Sequence, residues 1–160
     1  MTDPELTVFE LARAAQAKAL KRRKRRPAAK QVLADDVSPA YSPSQKTGFE
    51  AEARAAAHLV RHGLHILMQN LRCRQGEIDL VANDRGTLVF VEVKYRNQAG
   101  FGGAAASVNR DKQRRMIRSA RFFLPALSRQ FYATRTPPCR FDVITIEPDG
   151  LNWLRGAFSC

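Results

Sequence analysis

Residues 76–96, GEIDLVANDRGTLVFVEVKYR, constrain this chain more than any other stretch. Aliphatic and β-branched residues flank Asn83-Asp84-Arg85-Gly86, so the segment reads as two strands, 77–82 and 87–95, joined by a tight turn. Strands this apolar belong inside a covered sheet, yet Asp79, Glu92 and Lys94 interrupt them. Side chains alternate along a strand, which puts Glu92 and Lys94 on one face with Phe90 and leaves Val89, Val91, Val93 and Tyr95 on the other. The same rule places Asp79 with Val81, opposite Ile78, Leu80 and Ala82. Antiparallel pairing then gathers Asp79, Glu92 and Lys94 on one sheet face, while the other packs against a helix.

An unpaired buried carboxylate is costly, and two like charges close together repel further. One lysine cannot balance two carboxylates. A hard dication can: Mg²⁺ typically takes one or two carboxylates, several waters and a substrate phosphate oxygen. Such an ion, Mg²⁺ or Mn²⁺, lowers the pKa of a bound water and stabilises charge developing on a phosphoryl group. An adjacent ammonium positions or deprotonates that water, or offsets the developing charge. The pattern therefore points to hydrolysis of phosphodiesters, with Asp79 and Glu92 as metal ligands and Lys94 beside them. The competing structural reading is a cross-strand Asp79–Lys94 pair, with Glu92 turned to water at a sheet edge.

Around this hairpin the pattern gives an αβββαβ order, an α/β fold whose mixed sheet is flanked by helices. Residues 48–62 read as a helix with Phe49, Ala53, Ala56 and Val60 in one stripe and Leu59 beside it, stopped by Gly63. Glu52 lies on or beside that stripe, a carboxylate that could support the site. A strand follows at about 64–71. Asn109 caps a second helix that is apolar at Met116, Ala120, Phe123, Leu127 and Phe131, with Pro125 expected to kink or end it. The alternating RFDVITIE at 140–147 is a strand, and 151–155 adds a short edge strand. Between the hairpin and the second helix, residues 97–107 form a Gly-rich loop without a phosphate-loop pattern.

Charge adds a partner. The 160 residues carry a net charge of +12 and a pI near 10.5, a balance that favours polyanions, nucleic acid before an anionic membrane. Residues 1–47 hold 10 basic and 5 acidic side chains and residues 48–160 hold 17 and 10, so both parts are positive. The first part reads as a basic extension: a marginal helix over 5–22, the run KRRKRR at 21–26, then a Pro- and Ser-containing linker to Thr47. A nuclease-like domain is placed at 48–160. Arg114, Arg115 and Arg118 lie away from the apolar stripe of the second helix and suit phosphate contacts, with Lys112 nearer the sheet and Arg96 just past the hairpin.

Cys73, Cys139 and Cys160 form no CxxC pair and suit reduced thiols in a cytoplasmic protein. No apolar run is long enough to span a bilayer. His58, His62 and His65 include a metal-ligand spacing, but no glutamate or cysteine completes a zinc site.

EARAAAHLVRHG, NLRCRQGEIDLVANDRGTLVFVEVKYR, FGGAAASVNRDKQRR and RFDVITIE together resemble the YraN family of uncharacterised bacterial proteins. The resemblance covers nearly all of residues 48–147. It implies a restriction-endonuclease-like fold related to archaeal Holliday-junction resolvases and a PD-(D/E)xK-type site. Asp79 matches the metal-binding aspartate of that motif, Glu92 the second carboxylate, Lys94 the lysine and Glu52 the helix glutamate. Ala51 stands where a glycine commonly precedes this glutamate. The activity implied is metal-dependent endonucleolytic cleavage of DNA, including branched or structured DNA. Resolvase-like relatives act as dimers, which admits a homodimer here, although no residue marks an interface. The alternative is a catalytically silent nucleic-acid-binding or adaptor module on the same fold.

Overall fold

The structure, a computed structural model, describes residues 43–96 and 108–159. The expected basic arm and the Gly-rich loop at 97–107 lie outside the described residues. The order is α1 (Pro43–Arg61), β1 (His65–Cys73), β2 (Gly76–Asp84), β3 (Thr87–Tyr95), α2 (Arg110–Phe131), β4 (Cys139–Glu147) and β5 (Gly150–Phe158). The strands form one mixed sheet in chain order, antiparallel except where β3 and β4 run parallel. The parallel pair needs a crossover, and α2 belongs to it. The expected αβββαβ core is present, with β5 as a full nine-residue edge strand rather than a short one.

Each sheet face carries one helix. Leu80, Ala82, Val89, Val91, Ile144 and Ile146 pack with Ala51, Ala55 and Leu59 of α1 and with Leu64. On the other face Ile78, Val81, Leu88, Phe90 and Phe141 pack with Met116, Ala120, Phe123, Ala126 and Leu127 of α2. The charged face of the hairpin is therefore half covered by a helix of its own. Alternation on β3 follows the expectation, but β2 departs from it. Ile78 packs with Val81 on the α2 side rather than with Leu80 and Ala82. The change of face falls at Asp79, where β2 leaves the β3 ladder.

Three local expectations are corrected. The buried stripe of α1 is Ala51, Ala55 and Leu59, while Phe49 and Val60 are 45% and 54% exposed. Small alanines let a helix settle close onto a valine- and isoleucine-rich sheet, and that contact outweighs the larger side chains on the far side. The helix also starts at Pro43, inside the stretch read as linker. Finally, α2 continues through Pro125 to Phe131. Pro125 sits on the exposed side, where water can satisfy the carbonyl that its missing N–H leaves unpaired. The β2–β3 turn is as expected: Arg85 and Gly86 both have positive φ, 50° and 92°, and Gly86 N–H donates to Asn83 Oδ1 at 2.8 Å. Among the described residues no helix is long and apolar enough to cross a membrane.

Candidate functional site

The β2–β3 ladder runs from Asp84 opposite Thr87 to Leu80 opposite Val91, and there it stops. The next residues in register are Asp79 and Glu92. Asp79 takes over the work of a ladder carbonyl: its Oδ2 accepts the N–H of Val93 at 2.7 Å. The strands part behind this side-chain bond, which opens a gap in the sheet flanked by two carboxylates. Asn70 lies across β1 from Asp79, between the pairs Gln69–Leu80 and Leu71–Ile78. Its φ of 55° marks an irregular point in β1, and its Nδ2 donates to Glu52 Oε2 of α1 at 2.9 Å.

From the opposite face α2 brings a cation. Asn109 caps this helix by accepting the Lys112 N–H at 2.9 Å, which fixes Lys112 in the first turn. The Lys112 ammonium lies 2.9 Å from Glu92 Oε2, and Glu92 is only 5% exposed. The contact is a charge-assisted ion pair on one of the two carboxylate oxygens, which leaves Glu92 with lone pairs to spare. Lys94, half-buried two residues along, acts on Glu92 through its charge.

The electrostatics record a carboxylate surplus. Asp79 is pushed from 3.8 up to about 7, first by burial and then by the Glu92 charge; the Val93 N–H and Lys112 oppose this, while Glu52 adds to it. Burial also raises Glu92, against the pull of Lys112 and Lys94 and with a further push from Glu77. Asp142 of β4 makes a sharp contrast. It is fully buried, and Arg140 Nε and Nη2 donate to it at 2.8 and 3.0 Å, Trp153 Nε1 at 3.1 Å and Gly156 N–H at 2.9 Å. Arg140 also reaches Asp84 at 3.0 Å. A saturated aspartate of this kind is structural; among the described residues the Asp79–Glu92 pair is under-supplied with donors and cations.

Among the described residues no group of three or more His, Cys, Asp or Glu is gathered as a metal cage. The donor set is two carboxylates, a number that suits Mg²⁺ or Mn²⁺ when waters and substrate oxygens complete the shell. Mutual repulsion and the remaining lone pairs of the two carboxylates fit a hard dication. His58 and His62 are engaged elsewhere: their rings stand 4.1 Å apart, both meet Trp153 edge-on, and His62 Nδ1 is 2.8 Å from the His58 carbonyl.

The remaining sequence-derived residues are dispersed. Arg114, Arg115 and Arg118 are exposed on α2, Arg114 lying 3.6 Å from Asp111. Arg96 is half-buried and extends the sheet, its N–H donating to the Ile146 carbonyl at 2.9 Å. Lys112 lies against the sheet as expected, where its ammonium meets Glu92. The sequence reading missed Asn70, the Lys112–Glu92 pair and the Asp142 network. Only the last had a local signal, Arg140 and Asp142 two apart on one strand face.

The family model described as uncharacterised protein family UPF0102 matches residues 51–146, a span that includes every element of the gap. A UPF0102 protein of Cupriavidus taiwanensis is 54% identical over 115 residues, covering 71% of this chain and 83% of the relative. One from Bordetella parapertussis is 46% identical over 158 residues, 99% of this chain and 88% of its own. One from Bordetella petrii is 45% identical and covers 99% of both chains.

Proposed function

The chain belongs to the UPF0102 family, and from that premise and the chemistry of the β2–β3 gap we propose that it is a divalent-metal-dependent endonuclease that hydrolyses DNA phosphodiester bonds, branched or structured DNA included. One observation carries this reading: half-buried Asp79 and buried Glu92, at the break in the ladder, stay under-neutralised among the described residues, with both pKa values raised, while the fully buried Asp142 of the sheet is saturated. Asp79 and Glu92 would hold Mg²⁺ or Mn²⁺. When bound, the ion supplies an activated water and Lewis-acid stabilisation of the phosphoryl oxygens. The Val93 N–H fixes the Asp79 carboxylate in one orientation. Lys94 stands on the Glu92 strand, where its ammonium orients the water or offsets negative charge on the phosphate. Glu52, tied to Asn70, adds negative potential to the gap and restrains α1 beside it.

A second reading, a catalytically silent nucleic-acid-binding module, draws support from the Lys112–Glu92 pair, which already gives one carboxylate a counterion. A cleavage panel separates the two. Wild type with Mn²⁺ should nick duplex, flap or four-way-junction DNA, and Asp79→Asn and Lys94→Ala should each lower the rate by about 10²-fold or more. Binding with no cleavage of any substrate, by wild type and variants alike, would select the silent module.

A further inference from the structure

The turn between β1 and β2 leans on the first turns of α2, and a cavity of about 400 Å³ opens between them. Arg72, Cys73, Gly76 and Glu77 line it from the hairpin, and Lys112 and Arg115 from the helix. The turn is seated closely. Cys73 Sγ lies 3.4 Å from Ser119 Oγ, and a Cβ at Gly76 would stand 3.3 Å from that hydroxyl and 3.4 Å from Arg115 Cβ. The hairpin is thereby held at a fixed distance from α2, and the cavity is part of the framework.

Its lining is unbalanced in charge. Arg72, Lys112 and Arg115 face a single carboxylate, Glu77, and Glu77 is engaged by Arg72 Nε at 3.3 Å. Lys112 is engaged by Glu92. Arg115 has no ion-pair partner among the described residues. The lining therefore offers one uncommitted guanidinium, a second shared with a surface carboxylate, and an ammonium shared with the carboxylate gap. Forked guanidinium donors match the oxygens of a phosphate. Beyond the cavity Arg110, Arg114, Arg118 and Arg121 continue along the exposed surface of α2, a track that suits an anion repeated along a polymer.

Resting on the reading of Asp79 and Glu92 as a phosphodiester-cleaving centre, we propose that this cavity is a phosphate subsite that seats one backbone phosphate of the nucleic-acid strand beside the linkage to be cut. Arg115 is its principal ligand, and Arg72 assists. Lys112 belongs to both places: it lines the cavity while its ammonium holds Glu92. A phosphate in the subsite and the Glu92 carboxylate therefore draw on the same cation.

The test uses full-length protein in EDTA, so that binding is read without cleavage, and a short fluorescein-labelled oligonucleotide followed by anisotropy across a salt series. Arg115→Gln should weaken binding about tenfold and reduce the slope of log affinity against log salt by about one. Arg115→Lys should recover part of the loss, and Arg72→Gln should show a smaller one. Arg135→Gln, the same charge change on an exposed residue beyond the far end of α2, is the control and should shift binding much less. Inorganic phosphate should displace the oligonucleotide from wild type better than chloride of equal ionic strength. Equal effects of Arg115→Gln and Arg135→Gln would overturn the subsite and leave only net charge at work, and so would phosphate no better than chloride. Because no metal is present, absence of nicking elsewhere would sink the nuclease reading without changing these outcomes.

Discussion

Asp79 sits inside a strand with one hydrogen-bond donor among the described residues, the Val93 N–H, and a carboxylate neighbour in Glu92. That combination makes two substitutions at the same position behave differently. Asparagine keeps an oxygen for the Val93 N–H and removes the charge. Alanine leaves that N–H without its acceptor, at a cost of about 1–3 kcal/mol. The sign of the pH dependence follows from the raised pKa. The metal-free folded protein retains a proton at Asp79 up to about 7, whereas the unfolded chain releases it near 3.8. The contribution of this group therefore lowers stability as pH climbs from 3.8 to about 7, and the penalty is complete above that range. Urea midpoints in EDTA should show wild type losing stability through this window, Asp79→Asn lacking that slope, and Asp79→Asn more stable than wild type above it. A variant slope equal to that of wild type would assign the titration to another group. The motif residues were legible because they are neighbours in sequence on strands that alternate. The place of Lys112 near the sheet was legible too, but its pairing with Glu92 and the part of Asn70 were not, since only tertiary contact brings a first-turn lysine and an irregular β1 residue to the same gap.

Among the elements, the β4–β5 pair shows how the sheet restores order where its own ladder fails. The register shifts between Phe141 and Val143, and Gly156, with φ 60°, sits in the displaced segment of β5. Asp142 fills the break by accepting from Gly156, Trp153 and Arg140, and Arg140 carries the link on to Asp84 at the end of β2. Contact with these carboxylates, Asp142 foremost, raises the Arg140 pKa further. Removing one partner of so enclosed a pair costs about 3–5 kcal/mol. Asp142→Ala should lose stability of that order in chemical denaturation, while calorimetric titration of the folded protein with Mn²⁺ stays as in wild type. A loss of Mn²⁺ binding with stability intact would place Asp142 in the metal site instead. Element type and order could be read from periodicity and turn residues, and so could the phase of α2, whose Met116, Ala120, Phe123 and Leu127 are buried as expected; the phase of α1 could not. Phe49 and Val60 dominate any hydrophobic count over α1, but the sheet selects Ala51 and Ala55 because they allow close approach. Pro125, read as kinking or ending α2, does not end it, for a related reason: its effect depends on which side of α2 faces water, and that is a property of packing.

For the molecule as a whole, the arrangement separates support from chemistry. Both helices and the outer strands are tied into two cores, and the under-neutralised carboxylates lie where the central sheet parts, next to a cation-lined cavity. On the proposed reading, the net charge of +12 would favour polyanions in general, and the gap would supply the chemistry at one bond of such a polymer. Trp153, the only tryptophan in the chain, lies on the α1 side of β5, edge-on to His58 and His62 and with Arg155 4.0 Å over its ring. This places the lone tryptophan two strands away from β3, beside a titrating quencher. Burial, then His62 and Arg61, lower the pKa of His58 below 6.5, so its imidazolium should dim the emission only on the acid side of that value. His58→Gln should reduce that change, while Mn²⁺ leaves the neutral-pH signal untouched. The protein thus carries an optical gauge of its own α1–β5 packing, one that reports whether a variant is folded in the same cuvette in which its chemistry is being measured.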